Sequence, residues 1–354
     1  MGFLLLSLLI VFIYTRALIY LSNAYAKRHL MQAPHLRGTH TQSIPRGVGL
    51  AVVIVCLITL SAFGVEHVYF QQNFAFALVL GGALIAFIGF LDDHQHVSPH
   101  IRLLVQALGV GLVLYQMGGF PEIYILNQVF YVGWIGHLFA FLGMIWLVNL
   151  YNFIDGIDGY VGMETVFISL NIALMVYVLD LFSLTWFMLV LAVSMLAFLC
   201  WNWQPAKVFM GDVCSGFLGF LFASLMAYTA RDYTVSLITW FILLAIPIID
   251  ASYTLVVRLL KGHSYGESHN CHAYHHAVVR YGSHQAVVFR GLAINLFWLA
   301  PFAWAAFIWP EYDVYLFAVA VAPIFYIVSK LGAGQDNDFS KFLAPRDRFE
   351  LPTK

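Results

Sequence analysis

The sequence predicts an all-α, polytopic integral membrane protein, and both its composition and its hydropathy pattern support that fold class. Of the 354 residues, 62% are hydrophobic and only 10% are charged, whereas soluble domains carry roughly a quarter charged residues. Apolar stretches of about twenty residues, long enough to cross the membrane hydrocarbon as helices, recur from end to end. We therefore expect one integral membrane domain over residues 1–354, without a soluble domain between the spans.

Hydropathy along the chain places about eleven transmembrane helices. They are expected near residues 3–22, 47–65, 73–91, 101–117, 133–152, 161–179, 183–203, 213–230, 234–257, 287–309 and 312–330. The first stretch has neither a basic leader nor an A-x-A-like cleavage site, so we interpret it as a retained span and not as a signal peptide. The four cysteines lack CxxC spacing, which argues against a structural zinc site or a disulfide framework.

Lysine and arginine residues are unevenly distributed between the two sets of loops. All of these basic residues except two lie in loops after odd-numbered spans or in the C-terminal tail. The exceptions are Arg231, in a loop after an even-numbered span, and Arg16, inside the first span. Basic residues stay on the cytoplasmic side of a membrane. This asymmetry predicts that the odd-numbered loops and the C-terminus face the cytoplasm and that the N-terminus faces out.

Five polar clusters interrupt the apolar sequence, and each follows an odd-numbered span. They are PHLRGTHTQSIPRGVG (34–49), LDDHQHVSPHIR (91–102), NLYNFIDGIDG (149–159), KVFMGDVCSG (207–216) and HSYGESHNCHAYHHAVVRYGSH (263–284). Their shared parity predicts that all five lie on one side of the membrane. We expect them to form a single cytoplasmic site.

The clusters contain five aspartates, Asp92, Asp93, Asp155, Asp158 and Asp212. The first two are adjacent, and neighbouring carboxylates repel unless a cation or proton intervenes; a solvated acidic helix end is the alternative. Asp155 and Asp158 would share one face if the backbone there were helical, and the glycines beside them would let a ligand approach; a capping turn is the alternative. Asp212 precedes an apolar span and is expected to cap the next helix.

Three histidines, His272, His275 and His276, have the i, i+3, i+4 spacing of one helical face. Such a set can hold Zn²⁺, but no H-E-x-x-H pattern accompanies it and basic residues lie nearby. We therefore favour imidazoles that donate to phosphate oxygens, with a merely solvated loop as the alternative. Asp250, inside the ninth span, either pairs with a neighbouring helix or supports a metal site.

Together the clusters predict a site that binds phosphate groups where lipid meets cytosol. Carboxylates that hold Mg²⁺ with the help of substrate phosphates are typical of such sites, and basic side chains complete the usual equipment of phosphoryl transfer. The nearest bases are Lys207, Arg37, Arg46 and Arg102. Two substrates could meet at this position, a lipid phosphate that arrives from the bilayer and a soluble nucleotide that arrives from the cytosol. No nucleic-acid partner is expected.

At these clusters the chain resembles the polyprenyl-phosphate N-acetylhexosamine-1-phosphate transferases, a glycosyltransferase family 4-like group in the superfamily of phospho-N-acetylmuramoyl-pentapeptide transferase. GFLDDHQHVSPHIRLLVQ is similar to the family's DD segment, NFIDGIDG to its N-x-x-D-G-x-D-G signature, and VFMGDVCSGFLG to its F-M-G-D-x-G-S segment. The resemblance covers residues 34–286 and keeps the family's order. Three matches in order are far more specific than one isolated motif.

The resemblance implies that the phosphate of undecaprenyl phosphate attacks the β-phosphorus of a UDP-sugar and releases UMP. The most similar subgroup starts O-antigen or other surface polysaccharides with GlcNAc or an N-acetylated 6-deoxyhexosamine, in the bacterial inner membrane and with the site facing the cytoplasm. Mg²⁺ is the implied cofactor, and Mn²⁺ is a substitute. The implied partners are undecaprenyl phosphate, a UDP-N-acetylhexosamine and the bilayer, with monomer and homodimer both open.

The resemblance also implies residue roles. The implied catalytic residues are Asp92, Asp93, Asp155, Asp158, His272 and His275. The implied metal ligands are Asp92, Asp93 and Asp212, and Asp92 either removes a proton from the lipid phosphate or only positions the metal. The implied substrate-binding residues are Arg37, His40, Arg46, Arg102, Asn149, Asn152, Lys207, Phe209 and His276. Asp158 would lie nearer the nucleoside, and Phe209 would stack on uracil.

Four positions depart from the family pattern. Gly38 stands at a usual Lys, Cys214 at a usual Gly, Tyr274 where the second loop histidine would be, and Asn270 at a common Arg. These departures leave the sugar and the individual loop roles open. The alternatives are the pentapeptide transferase and, from another class, a cation-coupled membrane transporter.

Overall fold

The structure, a computed structural model, describes residues 2–32, 43–65, 72–120, 122–232, 234–263 and 270–336. Arg37 and His40, two of the residues implied in substrate binding, lie outside the described residues. The described chain is mainly helical and carries several apolar helices of membrane-spanning length. The prediction of an all-α, polytopic membrane protein is therefore confirmed.

Fourteen α-helices follow one another in the described chain. They are α1 (Gly2–His29), α2 (Leu50–Val65), α3 (Gln72–His94), α4 (Pro99–Met117), α5 (Gly133–Phe153), α6 (Tyr160–Val178), α7 (Phe182–Asn202), α8 (Asp212–Arg231), α9 (Leu237–Leu243), α10 (Ala245–Leu260), α11 (Ala273–Tyr281), α12 (His284–Ile294), α13 (Ala300–Ile308) and α14 (Asp313–Leu331). A π-helical turn, Asn295–Leu299, joins α12 to α13.

The predicted spans correspond to these helices with two differences in length and continuity. Among the described residues, nine stretches are long and apolar enough to cross a membrane, or ten if α9 and α10 together count as one span. The stretch predicted over 47–65 forms α2, whose 16 residues are fewer than the twenty or so that a span usually needs.

The ninth predicted span, 234–257, is not one straight helix. Helices α9 and α10 meet at an angle of 80°. Pro247 explains the break, because a proline has no N–H and its ring collides with the carbonyl four residues earlier. That carbonyl belongs to Leu243, the last residue of α9. The hydropathy pattern identified the apolar segment but not its bend.

Helix α8 lies at the centre of the bundle. Almost every residue from Val213 to Ala230 is buried, and α3 and α5 pack directly against it. A Cβ at Gly219 would lie 2.6 Å from the backbone oxygen of Leu147 in α5. Small residues that let helix backbones approach closely are typical of membrane helix packing. Helix α1 and helices α12 to α14 carry many of the exposed apolar side chains and lie at the periphery.

Short strands occur at both ends of the bundle. Strand β1 (Met31–Gln32) pairs with β2 (Ile44–Pro45) next to the polar clusters. Strands β3 (Glu122–Ile125) and β4 (Gln128–Tyr131) form an antiparallel hairpin at the opposite end. Its two turn residues, Leu126 and Asn127, have φ of 52° and 56°, as a type I′ turn requires. The all-helical prediction missed both strand pairs.

Candidate functional site

Five charged side chains from four parts of the chain meet at one end of the bundle. The Arg102 guanidinium on α4 lies 2.6 Å from an oxygen of Asp92 at the end of α3. The same nitrogen lies 3.2 Å from Asp212 at the start of α8. The Arg46 guanidinium pairs with Asp212 and lies 2.8 Å from an oxygen of Asp93. These two cations and three carboxylates form one network of ion pairs, which we name the acidic network.

Asp93 caps helix α8 from the neighbouring helix. Its carboxylate accepts hydrogen bonds from the backbone N–H groups of Asp212 (3.0 Å) and Val213 (3.2 Å). A carboxylate is favoured at this position because the first N–H groups of a helix lack partners and carry partial positive charge. The prediction that Asp212 itself caps the helix is wrong, since Asp212 is the first helical residue and donates its own N–H to Asp93.

The close approach of α3 to the start of α8 depends on Gly89. A Cβ at this position would lie 2.4 Å from the backbone oxygen of Asp212. No side chain fits there without moving one of the two helices. Gly89 therefore allows Asp93, one turn later on α3, to reach the end of α8.

Backbone pairing holds Arg46 in place. The Phe209 N–H donates to the Pro45 carbonyl (2.8 Å), and the Val48 N–H donates to the Phe209 carbonyl (3.2 Å). Burial alone would lower the pKa of Arg46, but the carboxylates of Asp212, Asp93 and Asp155 outweigh it and raise that pKa. Arg46 is therefore a fixed positive charge. Phe209, implied to stack on uracil, is partly buried, and Lys207 is exposed on the same loop.

Asp155 joins the network through the turn that links α5 to α6. It lies close enough to Arg46, Asp212 and Asp93 for their charges to act on it. Burial raises the pKa of Asp155 well above the usual aspartate value, Arg46 lowers it, and the neighbouring carboxylates raise it further. Asn152, at the end of α5, lies close enough to Asp212 for the two side chains to interact. Such a concentration of carboxyl groups favours additional positive charge.

Asp158 points away from this network. Its carboxylate accepts a hydrogen bond from the Ala206 N–H (3.0 Å), and its own N–H donates to Nδ1 of His284 (3.1 Å). Only 4% of the residue is exposed. Residues 154–159 form turns and not a helix, so Asp155 and Asp158 do not share a helical face. The structure therefore gives Asp158 a role in holding the 203–208 loop.

Asp158→Ala is expected to lower stability more than activity per folded molecule. The change leaves the buried N–H of Ala206 without its acceptor, which costs about 1–3 kcal/mol. Thermal unfolding in detergent, followed by tryptophan fluorescence, would measure the loss. Asp158→Asn keeps one carbonyl oxygen for the same N–H and is the matched control, expected to retain most of the stability. Equal stability of the alanine variant and the wild type would contradict this role.

The histidine cluster is organised by Asp250. This carboxylate accepts the N–H groups of Ala273 (2.7 Å) and Tyr274 (3.1 Å) at the start of α11, and Nδ1 of His272 lies 3.5 Å away. The His275 ring packs on Tyr274 with centroids 4.1 Å apart. Of the two interpretations of Asp250, pairing with a neighbouring helix is the one observed. Sequence reasoning did not foresee that this residue would cap α11.

Two residues implied in substrate binding have other contacts. Nε2 of His276 lies 3.2 Å from the Gln335 carbonyl, and burial lowers the pKa of His276. The Asn149 amide donates to the side chain of Gln106 (2.8 Å) on α4. His276 therefore does not share the surroundings of His272 and His275, and Asn149 serves helix packing. Arg46, Arg102 and Asn152 are the implied substrate-binding residues that contact the acidic network directly.

Some, but not all, of the carboxylates at this site are suited to bind a divalent cation. Asp92, Asp155 and Asp212 offer oxygen ligands of the type that Mg²⁺ and Mn²⁺ prefer. Asp93 fits less well, because its side chain is fully buried, whereas those of Asp92 and Asp212 are 7% and 12% exposed. Within the described residues, no three Asp, Glu, His or Cys side chains are arranged to hold a metal unaided. The arrangement fits an ion that substrate phosphates help to coordinate.

Comparisons with known proteins agree with these motifs. Residues 75–230 match the family described as glycosyl transferase family 4. The chain is 29% identical over 267 residues to a probable undecaprenyl-phosphate N-acetylglucosaminyl 1-phosphate transferase of Bacillus subtilis (strain 168), covering 72% of this chain and 71% of that protein. It is 28% identical over 306 residues to the undecaprenyl-phosphate alpha-N-acetylglucosaminyl 1-phosphate transferase of Escherichia coli (strain K12), covering 82% and 81%.

A third relative is named for a different activity. The chain is 29% identical over 228 residues to the phospho-N-acetylmuramoyl-pentapeptide-transferase of Streptococcus equi subsp. zooepidemicus (strain MGCS10565), covering 60% of this chain and 64% of that protein. The family resemblance predicted from the motifs is therefore confirmed. The family match includes Asp92, Asp155 and Asp212, whereas Arg46 and the histidines of α11 lie outside it.

Proposed function

From this resemblance to glycosyl transferase family 4, we propose that the protein transfers an N-acetylhexosamine 1-phosphate from a UDP-sugar to undecaprenyl phosphate and releases UMP. One observation supports this most strongly. Asp92, Asp93, Asp155 and Asp212 come from three distant segments and meet around Arg46 and Arg102 at one end of an apolar helix bundle. Such a site suits a reaction between two phosphates, one carried by a lipid.

The proposed chemistry requires alignment and charge neutralisation more than a strong base. A phosphate monoester is already anionic near neutral pH, and phosphoryl transfer spreads negative charge over the transferred group. Mg²⁺, held by Asp92 and Asp212 together with substrate oxygens, would supply further positive charge. Arg46 and Arg102 orient these two carboxylates and are placed to attract the anionic substrates. Asp155 and Asn152 border the same volume.

The membrane position of the site is also part of the proposal. We place the acidic network on the cytoplasmic face of the bacterial inner membrane, because the basic residues follow the odd-numbered spans. There it would receive a soluble UDP-sugar from the cytosol and a polyprenyl phosphate from the inner leaflet. The N-terminus would then face out and the C-terminus in.

The sugar proposed is GlcNAc, with an N-acetylated 6-deoxyhexosamine as the other member of the same class. The names of the B. subtilis and E. coli relatives support GlcNAc. The product would start O-antigen or another surface polysaccharide. The pentapeptide transferase is the second candidate, favoured by the S. equi relative, whose match covers less of this chain.

Purified protein, undecaprenyl phosphate and Mg²⁺ should be incubated with UDP-GlcNAc, UDP-GalNAc, a UDP-N-acetyl-6-deoxyhexosamine or UDP-MurNAc-pentapeptide. We expect UMP release that needs both the lipid phosphate and one UDP-sugar. Release with UDP-MurNAc-pentapeptide alone would favour the second candidate. Solute counterflow in proteoliposomes without UMP release would instead support a transporter.

Removal of divalent cations is expected to abolish UMP release without unfolding the protein. When no divalent cation is bound, Arg46 and Arg102 still pair with the carboxylates of the site, so the thermal midpoint should change little. Excess EDTA followed by titration with Mg²⁺, Mn²⁺ or Ca²⁺ tests this, with activity and thermal midpoint measured on the same samples. Full activity in EDTA would contradict the proposed cofactor.

A further inference from the structure

We propose that Tyr274 is a positioning residue that clamps helix α11 onto the acidic turn, defined here as residues 152–159. The inference rests on the proposed function of the site. Tyr274 contacts both segments, and the sequence motifs did not assign it a role. The clamp would keep the histidines of α11 at a constant distance from Asp155.

The Tyr274 hydroxyl reaches the end of helix α5. It donates a hydrogen bond of 3.0 Å to the carbonyl of Phe153, the last residue of that helix. Carbonyls in the last turn of a helix lack intrahelical partners, so a phenol can satisfy one of them. The bond anchors Tyr274 immediately before Asp155.

Gly156 leaves the space that the clamp occupies. A Cβ at this position would lie 2.1 Å from the Tyr274 hydroxyl and 3.0 Å from Nε2 of His275. The glycine was expected to admit a ligand, but two side chains of α11 lie against its open side. The acidic turn and α11 are therefore in direct contact, next to Asp155.

The backbone and the ring of Tyr274 are held from other directions. Its N–H donates to Asp250 on α10 (3.1 Å). Its ring lies 5.5 Å from that of Tyr160 at the start of α6 and stacks on that of His272, with centroids 5.4 Å apart. Only 4% of the residue is exposed. Tyr274 thus joins α5, α6 and α10 to α11, and no rotation of α11 leaves all these contacts intact.

The functional consequence follows from the geometry that group transfer requires. Catalytic groups must be held within a fraction of an ångström of their productive positions. Loss of the hydroxyl removes one buried hydrogen bond and leaves the Phe153 carbonyl unpaired, whereas the aromatic ring remains. We expect Tyr274→Phe to lower kcat about tenfold. KM for the UDP-sugar should stay within about twofold, since an alignment defect acts mainly on the transition state.

Tyr281→Phe is the matched control. Tyr281 lies at the other end of α11, its side chain is 39% exposed, and the Arg290 guanidinium covers its ring at 4.1 Å. The substitution removes the same atom from the same helix outside the clamp. Its kcat and KM should equal those of the wild type.

Hydrogen exchange supplies a readout that does not depend on activity. In Tyr274→Phe, the amides of both the acidic turn and α11 should exchange faster than in the wild type, because the lost bond joins them. In Tyr281→Phe neither segment should change. A role confined to the stability of α11 would raise exchange in that helix alone.

Two results would overturn the inference: wild-type kcat in Tyr274→Phe, or faster exchange in α11 without change in the acidic turn. A wild-type protein that releases no UMP with any UDP-sugar would refute the proposed function and, with it, the catalytic consequence of the clamp. The exchange pattern would still decide whether the clamp itself exists, so the two failures are distinguishable.

Discussion

Asp212→Asn is expected to lower kcat for UMP release by about 10²–10³-fold, the loss typical when one preorganised electrostatic group is removed from an active site. Asp212 is the residue on which the site converges, because Arg46, Arg102 and Asn152 all contact it. The substitution keeps the shape of the side chain and removes its charge. Steady-state release of UMP at saturating undecaprenyl phosphate would measure the effect.

The control for this prediction lies at the opposite end of the same helix. Asp232 follows the last residue of α8, far from the acidic network, and Asp232→Asn should retain wild-type kcat. Both variants should also be compared by thermal unfolding, so that a loss of folded protein is not read as a loss of catalysis. Wild-type turnover in a folded Asp212→Asn variant would refute the assignment of this site.

Asp93→Ala is expected to destabilise the protein by about 2–4 kcal/mol, because two N–H groups at the start of α8 lose their acceptor. The Asp93 side chain is fully buried. Its removal leaves two N–H groups of the central helix α8 without their cap and removes one of the partners of Arg46. Unfolding by denaturant in detergent micelles, followed by tryptophan fluorescence, would measure the change.

The conservative variant separates the two roles open to this residue. Asp93→Asn keeps one oxygen that can accept a helix N–H. If Asp93 acts as a helix cap, Asp93→Asn should therefore destabilise the protein much less than Asp93→Ala does. If Asp93 is instead a metal ligand, Asp93→Asn should lower activity at constant protein stability. It should also shift the Mg²⁺ concentration that gives half-maximal activity. We expect the first pattern. The second would restore Asp93 to the metal ligands implied by the family resemblance.

Most of the fold could be predicted because long apolar runs must be helical in hydrocarbon. The errors occur where local backbone chemistry or tertiary contacts decide. Pro247 breaks the ninth predicted span, although the hydropathy on both sides is continuous. The hairpin β3–β4 depends on positive φ at Leu126 and Asn127, and it gains a contact from Asp313, whose carboxylate accepts the Leu126 N–H at 3.1 Å.

The candidate site was predicted less completely than the fold. Motif spacing identified the aspartates but not their partners, and it predicted one shared face for Asp155 and Asp158 if the backbone there were helical. In the structure Asp155 lies within reach of the charge of Arg46, whereas Asp158 binds the Ala206 N–H. Asp250 could be recognised only as an ionisable residue in an apolar span. Such a residue needs a buried partner, but the sequence does not say which helix provides it.

The sequence alone determined that this protein lies in a membrane, which segments are apolar helices, and which carboxylates and cations follow them. Those properties depend on composition and on local periodicity. Only the tertiary structure decided which carboxylates share Arg46 and Arg102, that Asp93 caps α8, and that Tyr274 joins α11 to the acidic turn. These contacts join residues up to 166 positions apart, and their geometry depends on how the helices pack and not on the order of residues within any one of them.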